Sequence, residues 1–162
     1  MMLFEVGIAS SIDDATAVAS MDRYMKAFPN DPSLLVNAIA LHGLHKRYDQ
    51  QLAAIEKLDR AIGGDPYLEL HRADAYQALG KLDEALAAAR RAVEREPTLG
   101  DAWWGLLTQQ VASARFGEVA PTLSRLRDTF GAQVDRETLA ADERYKALVD
   151  SPDYAAWEAA PH

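Results

Sequence analysis

The sequence contains no cysteine among its 162 residues. Disulfide bonds, thiolate metal sites and a cysteine nucleophile are therefore excluded, although this absence leaves the compartment of the protein open. An uninterrupted apolar run of about 18 residues, which a membrane-spanning helix needs, is also absent. The first residues, MMLFEVGIASSIDDA, lack the basic start and the long apolar stretch of a signal peptide. We therefore expect a cytoplasmic protein.

Positive charge is in the minority, since 17 Lys and Arg stand against 25 Asp and Glu and the net charge is −8. Nucleic acids and anionic membrane surfaces are bound through basic patches, so neither is an expected partner. A GxSxG elbow, a P-loop and a dinucleotide-binding glycine fingerprint are missing too. Because function has to be argued from a site, and no motif marks one, we expect no enzyme and no cofactor.

Helix-forming residues are abundant, whereas strands with strict alternation of apolar and polar residues are not found. Five clusters of proline, glycine, asparagine and aspartate interrupt the chain. They are FPNDPS at 28–33, GGDP at 63–66, EPTLGD at 96–101, FGAQVD at 130–135 and DSPD at 150–153. The segments between them are about 30 residues long, too long for one ordinary helix. Each segment therefore predicts a pair of helices.

The helix pairs form an internal repeat with a period of about 34 residues. At this spacing Tyr48, Leu82 and Phe116 fall in register. The residues that end helices follow the same spacing at Gly63, Pro97 and Gly131. One pair cannot bury its apolar face alone, so stacking of several pairs gives the period its physical reason.

The segment ADAYQALGKLDEALAAARRAVEREP, residues 73–97, resembles a tetratricopeptide repeat. It has the small residues, the turn glycine and the closing proline of that family. The match departs at Glu69 and Arg72, where the family usually has a large aromatic residue and a leucine; we expect these two to form an ion pair. The next repeat restores both features as Trp103 and Leu106. The resemblance covers residues 32–131.

The resemblance implies an all-α fold, a superhelix of stacked antiparallel helix pairs in one domain over residues 1–162. The predicted units are a degenerate leading helix or hairpin at 1–31, repeats at 32–65, 66–99 and 100–133, and a C-terminal helical cap at 134–162. A terminal unit has to cover the apolar side of the last pair. The cap residues predicted to be buried are Leu139, Tyr145, Leu148, Tyr154 and Trp157.

In this family the first helix of each pair lines a concave groove. The residues that the resemblance places on this face are Asn37, Ala40, Leu70, His71, Asp74, Gln77, Trp104, Thr108 and Val111. Trp103 shares a face with Leu106 at i+3, which predicts a core residue. Trp104 is a binding anchor in the groove, a tryptophan that the C-terminal end partly covers, or a scattered surface aromatic residue, and the sequence leaves these alternatives open.

Some members of the family clamp a C-terminal carboxylate with basic residues of the groove, but those residues are absent here. Asp74 and the negative net charge favour instead a protein or peptide, helical or extended, with apolar anchors and a basic residue. The predicted function is a non-catalytic protein-interaction adaptor, a monomer or weak homo-oligomer. The alternative is a structural or self-association module of a larger assembly.

His42 and His45 lie three residues apart on one predicted helix, a spacing that can share a metal ion. No carboxylate follows them in the pattern of a known metal motif. His42 also falls in register with Tyr76, which occupies a packing position of the repeat. We therefore predict a core or surface histidine and no metal site.

Overall fold

The computed structural model describes residues 14–160, which form an all-α superhelix as predicted. The start of the predicted leading unit, residues 1–13, lies outside the described residues. None of the helices in the described part of the chain is long and apolar enough to cross a membrane. The longer helices of the described residues are α1 Asp14–Ala27, α2 Pro32–Leu44, α3 Tyr48–Ile62, α4 Pro66–Ala78, α5 Leu82–Arg95, α6 Gly100–Ala112 and α7 Val119–Phe130.

The residues that interrupt the helical pattern act as helix caps. The Asp31 carboxylate accepts hydrogen bonds from the amides of Ser33 and Leu34, and proline occupies the first turn of α2. Asp65 caps α4 in the same way through the Tyr67 amide. Such caps satisfy amides that have no partner within the helix. At the other end, Gly63 terminates α3 with a left-handed φ of 80°, which glycine adopts without strain.

The helices pair as hairpin 1 (α2 and α3), hairpin 2 (α4 and α5) and hairpin 3 (α6 and α7). Their first helices begin at Pro32, Pro66 and Gly100, 34 residues apart in each case (66 − 32 and 100 − 66). Small side chains let the helices approach closely. In hairpin 2 these fully or almost fully buried residues are Ala73, Ala75, Ala85, Ala88, Ala89 and Ala92.

The chain ends in a cap of short helices, α8 Arg136–Ala140, α9 Lys146–Val149 and α10 Pro152–Glu158, with a 3-10 turn at Glu143–Tyr145. The cap shares one hydrophobic core with hairpin 3. All five cap residues predicted to be buried are buried. Tyr154 and Trp157 also anchor the cap by hydrogen bonds, the hydroxyl to the Val134 carbonyl at 2.8 Å and the indole to the Ser124 hydroxyl at 2.9 Å.

A charge network replaces the usual apolar contact where the repeat departs from the family pattern. Glu69 is fully buried, and its carboxylate accepts hydrogen bonds from Arg72 at 2.5 Å and Arg91 at 3.0 Å. Arg95 lies 3.3 Å from the same carboxylate. Arg72 and Arg95 also bond to Asp59 of hairpin 1, at 3.1 and 3.4 Å. The predicted ion pair of Glu69 and Arg72 is therefore present, as part of a network that joins hairpins 1 and 2.

Candidate functional site: the concave groove

The first helices of the hairpins are α2, α4 and α6, and we call the face that they are predicted to share the groove. Two contacts fix α4 against α6. Gly105 of α6 leaves no room for a Cβ atom, because such an atom would lie 2.5 Å from the Leu70 side chain. Gln109 donates a hydrogen bond to the Gln77 side chain at 2.9 Å. Leu70 and Gln77, both predicted groove residues, are half-buried, and their side chains pack α4 against α6 through these two contacts.

At its N-terminal end the groove contains an apolar cavity of about 270 Å³, which we call the notch. The residues that line it are Val36, Ile39, Ala40, Leu58, Ile62, Asp65, Tyr67, Leu68 and His71. Val36, Ile62 and Tyr67 are large apolar residues with 55%, 49% and 48% of their surface exposed. Exposed apolar residues that cluster in this way typically mark a binding surface.

The predicted groove set contained only two residues of the notch, Ala40 and His71. Ile62 and Tyr67 were missed because they belong to the hairpin boundary rather than to the middle of a first helix. A signal for them is present in the sequence, since two large apolar residues flank the GGDP breaker. Neither is needed to cap a helix, and neither is buried in the structure.

At the other end, the groove meets the cap in a second cavity of about 370 Å³, which we call the cap pocket. Its lining residues are Trp104, Gly105, Thr108, Thr138, Leu139, Asp142, Arg144 and Tyr145. The rings of Trp104 and Tyr145 contact each other with centroids 6.2 Å apart, tilted by 50°. The Thr108 hydroxyl lies 2.8 Å from the Tyr145 hydroxyl and so ties the cap to α6.

The three tryptophans differ in what their indole N–H groups bind. Trp103 donates to the Pro97 carbonyl at 2.9 Å, and Trp157 donates to Ser124. Within residues 14–160 the indole of Trp104 has no hydrogen-bond acceptor, although its ring is half-buried against Tyr145. Of the interpretations left open by the sequence, partial cover by the C-terminal end is present, and the indole N–H remains available to a ligand.

Trp103 is half-buried rather than fully buried. Its ring packs between the cores of hairpins 2 and 3, as expected of a core residue. The guanidinium of Arg125 lies over it, 5.6 Å from the ring centroid. Trp103 therefore forms a cation–π contact in addition to its apolar packing.

Asp74 supplies the negative charge of the groove and is exposed. Partial burial of its carboxylate among the neighbouring walls raises its pKa, while the charges of His71 and Arg144 act in the opposite direction. Arg144 forms an ion pair with Asp142 at 2.6 Å, and its guanidinium lies 5.5 Å from the centre of the Tyr145 ring. Sequence analysis missed Arg144 because the groove was assigned to the first helices alone.

Two predicted groove residues do not contribute a free side chain. Val111 is only 9% exposed and belongs to the core that hairpin 3 shares with the cap, so its placement on the open face was wrong. The 3-10 turn at Phe116–Glu118 also packs against α6. Asn37 is exposed, but its amide donates to the Ser33 carbonyl of its own helix at 2.9 Å.

His42 is buried, with 5% of its surface exposed, and its Nδ1 atom has no hydrogen-bond partner. The histidine therefore has the packing position that the repeat register indicated. Among the described residues, no three or more His, Cys, Asp and Glu side chains lie together in a group that could hold a metal ion.

No protein-family model and no curated protein matches the sequence. Two solved structures resemble the fold. PilW, a widely conserved type IV pilus biogenesis factor, matches with a TM-score of 0.71 and 16% identity, over 98% of this chain and 74% of PilW. MamA matches with a TM-score of 0.69 and 14% identity, over 91% of this chain and 86% of MamA. At these identities the likeness concerns the fold alone.

Proposed function

Because the chain has the tetratricopeptide-like superhelical fold of these two repeat proteins, we propose that it is a non-catalytic adaptor that binds a peptide or helix of a protein partner in its groove. The observation that carries this proposal is the notch. Three large apolar side chains are about half exposed around one cavity, at the place where two hairpins meet. Exposure of apolar side chains does not stabilise a fold, whereas a partner side chain that fills the notch would remove this apolar surface from water.

The charges around the groove indicate the chemistry of the partner. Asp65 borders the notch and Asp74 lies exposed on the next turns of α4, so the groove attracts positive charge. The net charge of −8 acts in the same direction over longer distances. We therefore propose a partner segment with an apolar side chain for the notch and a basic residue for the acidic part of the groove.

The test is selection of peptides from a random library on the immobilised full-length chain, followed by affinity measurements on variants. Val36→Glu places a charge inside the notch and should weaken selected peptides by about tenfold or more. Leu44→Glu is the matched control, because Leu44 lies on the same helix, is 72% exposed and does not line the notch. Equal effects of the two substitutions, or a failure to enrich any peptide, would contradict the proposal.

Self-association is the second candidate, because Phe28 and Leu44 are exposed apolar residues outside the notch, at 47% and 72%. Light scattering on a sizing column, over a range of protein concentrations, separates the two functions. The adaptor is expected to remain a monomer or to associate weakly. A stable oligomer that Leu44→Glu dissociates would instead assign this exposed apolar surface to a second copy of the chain.

A further inference from the structure

Asp74 does not line the cap pocket, but its charge interacts with that of Arg144, which does. The contact of Leu70 with Gly105 lies one turn before Asp74, and the hydrogen bond between Gln77 and Gln109 lies one turn after it. Asp74 is therefore held beside the turn of α6 that carries Trp104 and Thr108. Thr108 contacts Tyr145 of the cap, and Asp74 is close enough to Arg144 of the cap for their charges to interact, so we infer that the Asp74 carboxylate faces the wall that the cap adds to the groove.

The cap adds a second carboxylate, Asp142, and a cation, Arg144, to the region around Asp74. Asp142 lines the cap pocket, and Arg144 bonds to it through both its Nε and Nη2 atoms, at 3.0 and 2.6 Å. The Arg144 side chain is nevertheless 65% exposed. Exposed ion pairs contribute little to stability, so Arg144 can leave this position at low cost. Asp74 has no ion pair within 4 Å among the described residues.

We propose that the cap pocket binds an arginine side chain of the partner, stacked on Trp104 with its guanidinium at Asp74, and that Arg144 competes with it. This inference deepens the proposed function by naming the basic residue and the place where it binds. Burial raises the pKa of Asp74, because the charged carboxylate loses contact with water. A cation bound beside it would compensate part of that loss.

Arginine fits this pocket better than lysine for two reasons. Its planar guanidinium stacks on an aromatic ring and donates two parallel hydrogen bonds to a carboxylate, which an ammonium group cannot do. The ring pair of Trp104 and Tyr145 provides the stacking surface, and Arg144 already uses the Tyr145 ring in this way. Arg144 is thus an internal example of the group that the pocket accepts.

The test uses N-acetyl-arginine amide as the probe and follows the indole N–H signals of the full-length chain by NMR. The Trp104 signal should move on titration, while the signals of Trp103 and Trp157, whose indoles bond internally, stay in place and report an intact fold. N-acetyl-lysine amide should bind more weakly. Asp74→Asn should weaken the arginine probe by about fivefold, and Arg144→Gln should tighten it by about threefold.

The inference is overturned if N-acetyl-leucine amide moves the Trp104 signal as much as the arginine probe does. It is equally overturned if Arg144→Gln leaves the affinity unchanged or lowers it, or if the probe fails to bind that variant. These results leave the proposed function standing, provided that selected peptides still lose affinity in Val36→Glu. If Val36→Glu leaves the affinity of selected peptides unchanged while the arginine probe behaves as expected, the proposed notch is wrong and the arginine site stands.

Discussion

Trp103 and Trp104 are neighbours in sequence with different surroundings, so they serve as controls for each other. Trp103 packs between two hairpins, and Trp103→Ala should lower the free energy of unfolding by about 3 kcal/mol. Trp104 contacts Tyr145 on one side only, so Trp104→Ala should cost about 1 kcal/mol. Urea denaturation of both variants measures the difference. Equal losses would place Trp104 in the core and remove it as a binding residue.

His42 makes stability depend on pH. Burial lowers its pKa below the ordinary 6.5; the charges of Arg47 and His45 act in the same direction, and Asp22 of α1 opposes them. The folded state therefore favours the neutral imidazole. Its contribution is complete above the unfolded pKa and is lost as the pH falls through the lower, folded pKa.

Wild type should accordingly lose more stability on acidification from about pH 7.5 to about pH 5 than His42→Gln, which cannot be protonated. Chemical denaturation at both pH values gives the comparison. His45→Gln is the matched control at the C-terminal cap of the same helix, and it should stay close to the wild type because burial of His42, the largest cause of the shift, is retained. A wild-type dependence that His42→Gln reproduces would assign the acid sensitivity to other groups.

At the scale of helices and hairpins, one position of the repeat holds a cation in two different ways. Glu69 and Trp103 are 34 residues apart, and each binds the guanidinium that lies 22 residues after it, Arg91 or Arg125. In hairpin 2 the Glu69 carboxylate binds the guanidinium, and in hairpin 3 the Trp103 ring lies under it. The departure of Glu69 from the family pattern is therefore compensated locally by arginines, which explains why the fold is kept.

Glu69→Gln should lower the free energy of unfolding by about 3 kcal/mol or more, because it leaves three arginines around a neutral amide in a buried place. Glu56→Gln is the control, since its ion pair with Arg60 is two-thirds exposed on both sides. Thermal unfolding followed by circular dichroism measures both. Equal and small losses would mean that solvent screens the network, in spite of the complete burial of Glu69.

At the scale of the whole molecule, the cap is part of the hydrophobic core. Removal of residues 134–162 should uncover Leu107, Leu123 and Leu126, which are fully buried in the intact chain. The shortened protein is expected to aggregate or to bind a hydrophobic dye, and light scattering with dye fluorescence would detect either. A monomer with unchanged helicity and melting temperature would show that the cap contributes nothing to the fold.

The sequence predicts the helices and the buried cap residues well, because local chemistry determines both. Asp31, Asp65 and Gly63 cap helices through their own side chains or backbone, so their effect is visible without tertiary structure. The binding surface is less predictable. Val111 is covered and Arg144 is brought into the groove only by the way in which the cap folds back on α6, and the 34-residue period contains no information on that contact.

The network around Glu69 also determines how the chain can evolve. Asp59 belongs to hairpin 1, yet it pairs with Arg72 and Arg95 of hairpin 2. The residue 34 positions after Asp59 is Val93. A tandem duplicate of hairpin 2 would therefore place both guanidiniums beside a valine instead of Asp59, with only Glu69 of their own hairpin as a partner. Duplication of this unit alone would lose the ion pairs that join neighbouring hairpins, so the polar contact between hairpins 1 and 2 is specific to that pair.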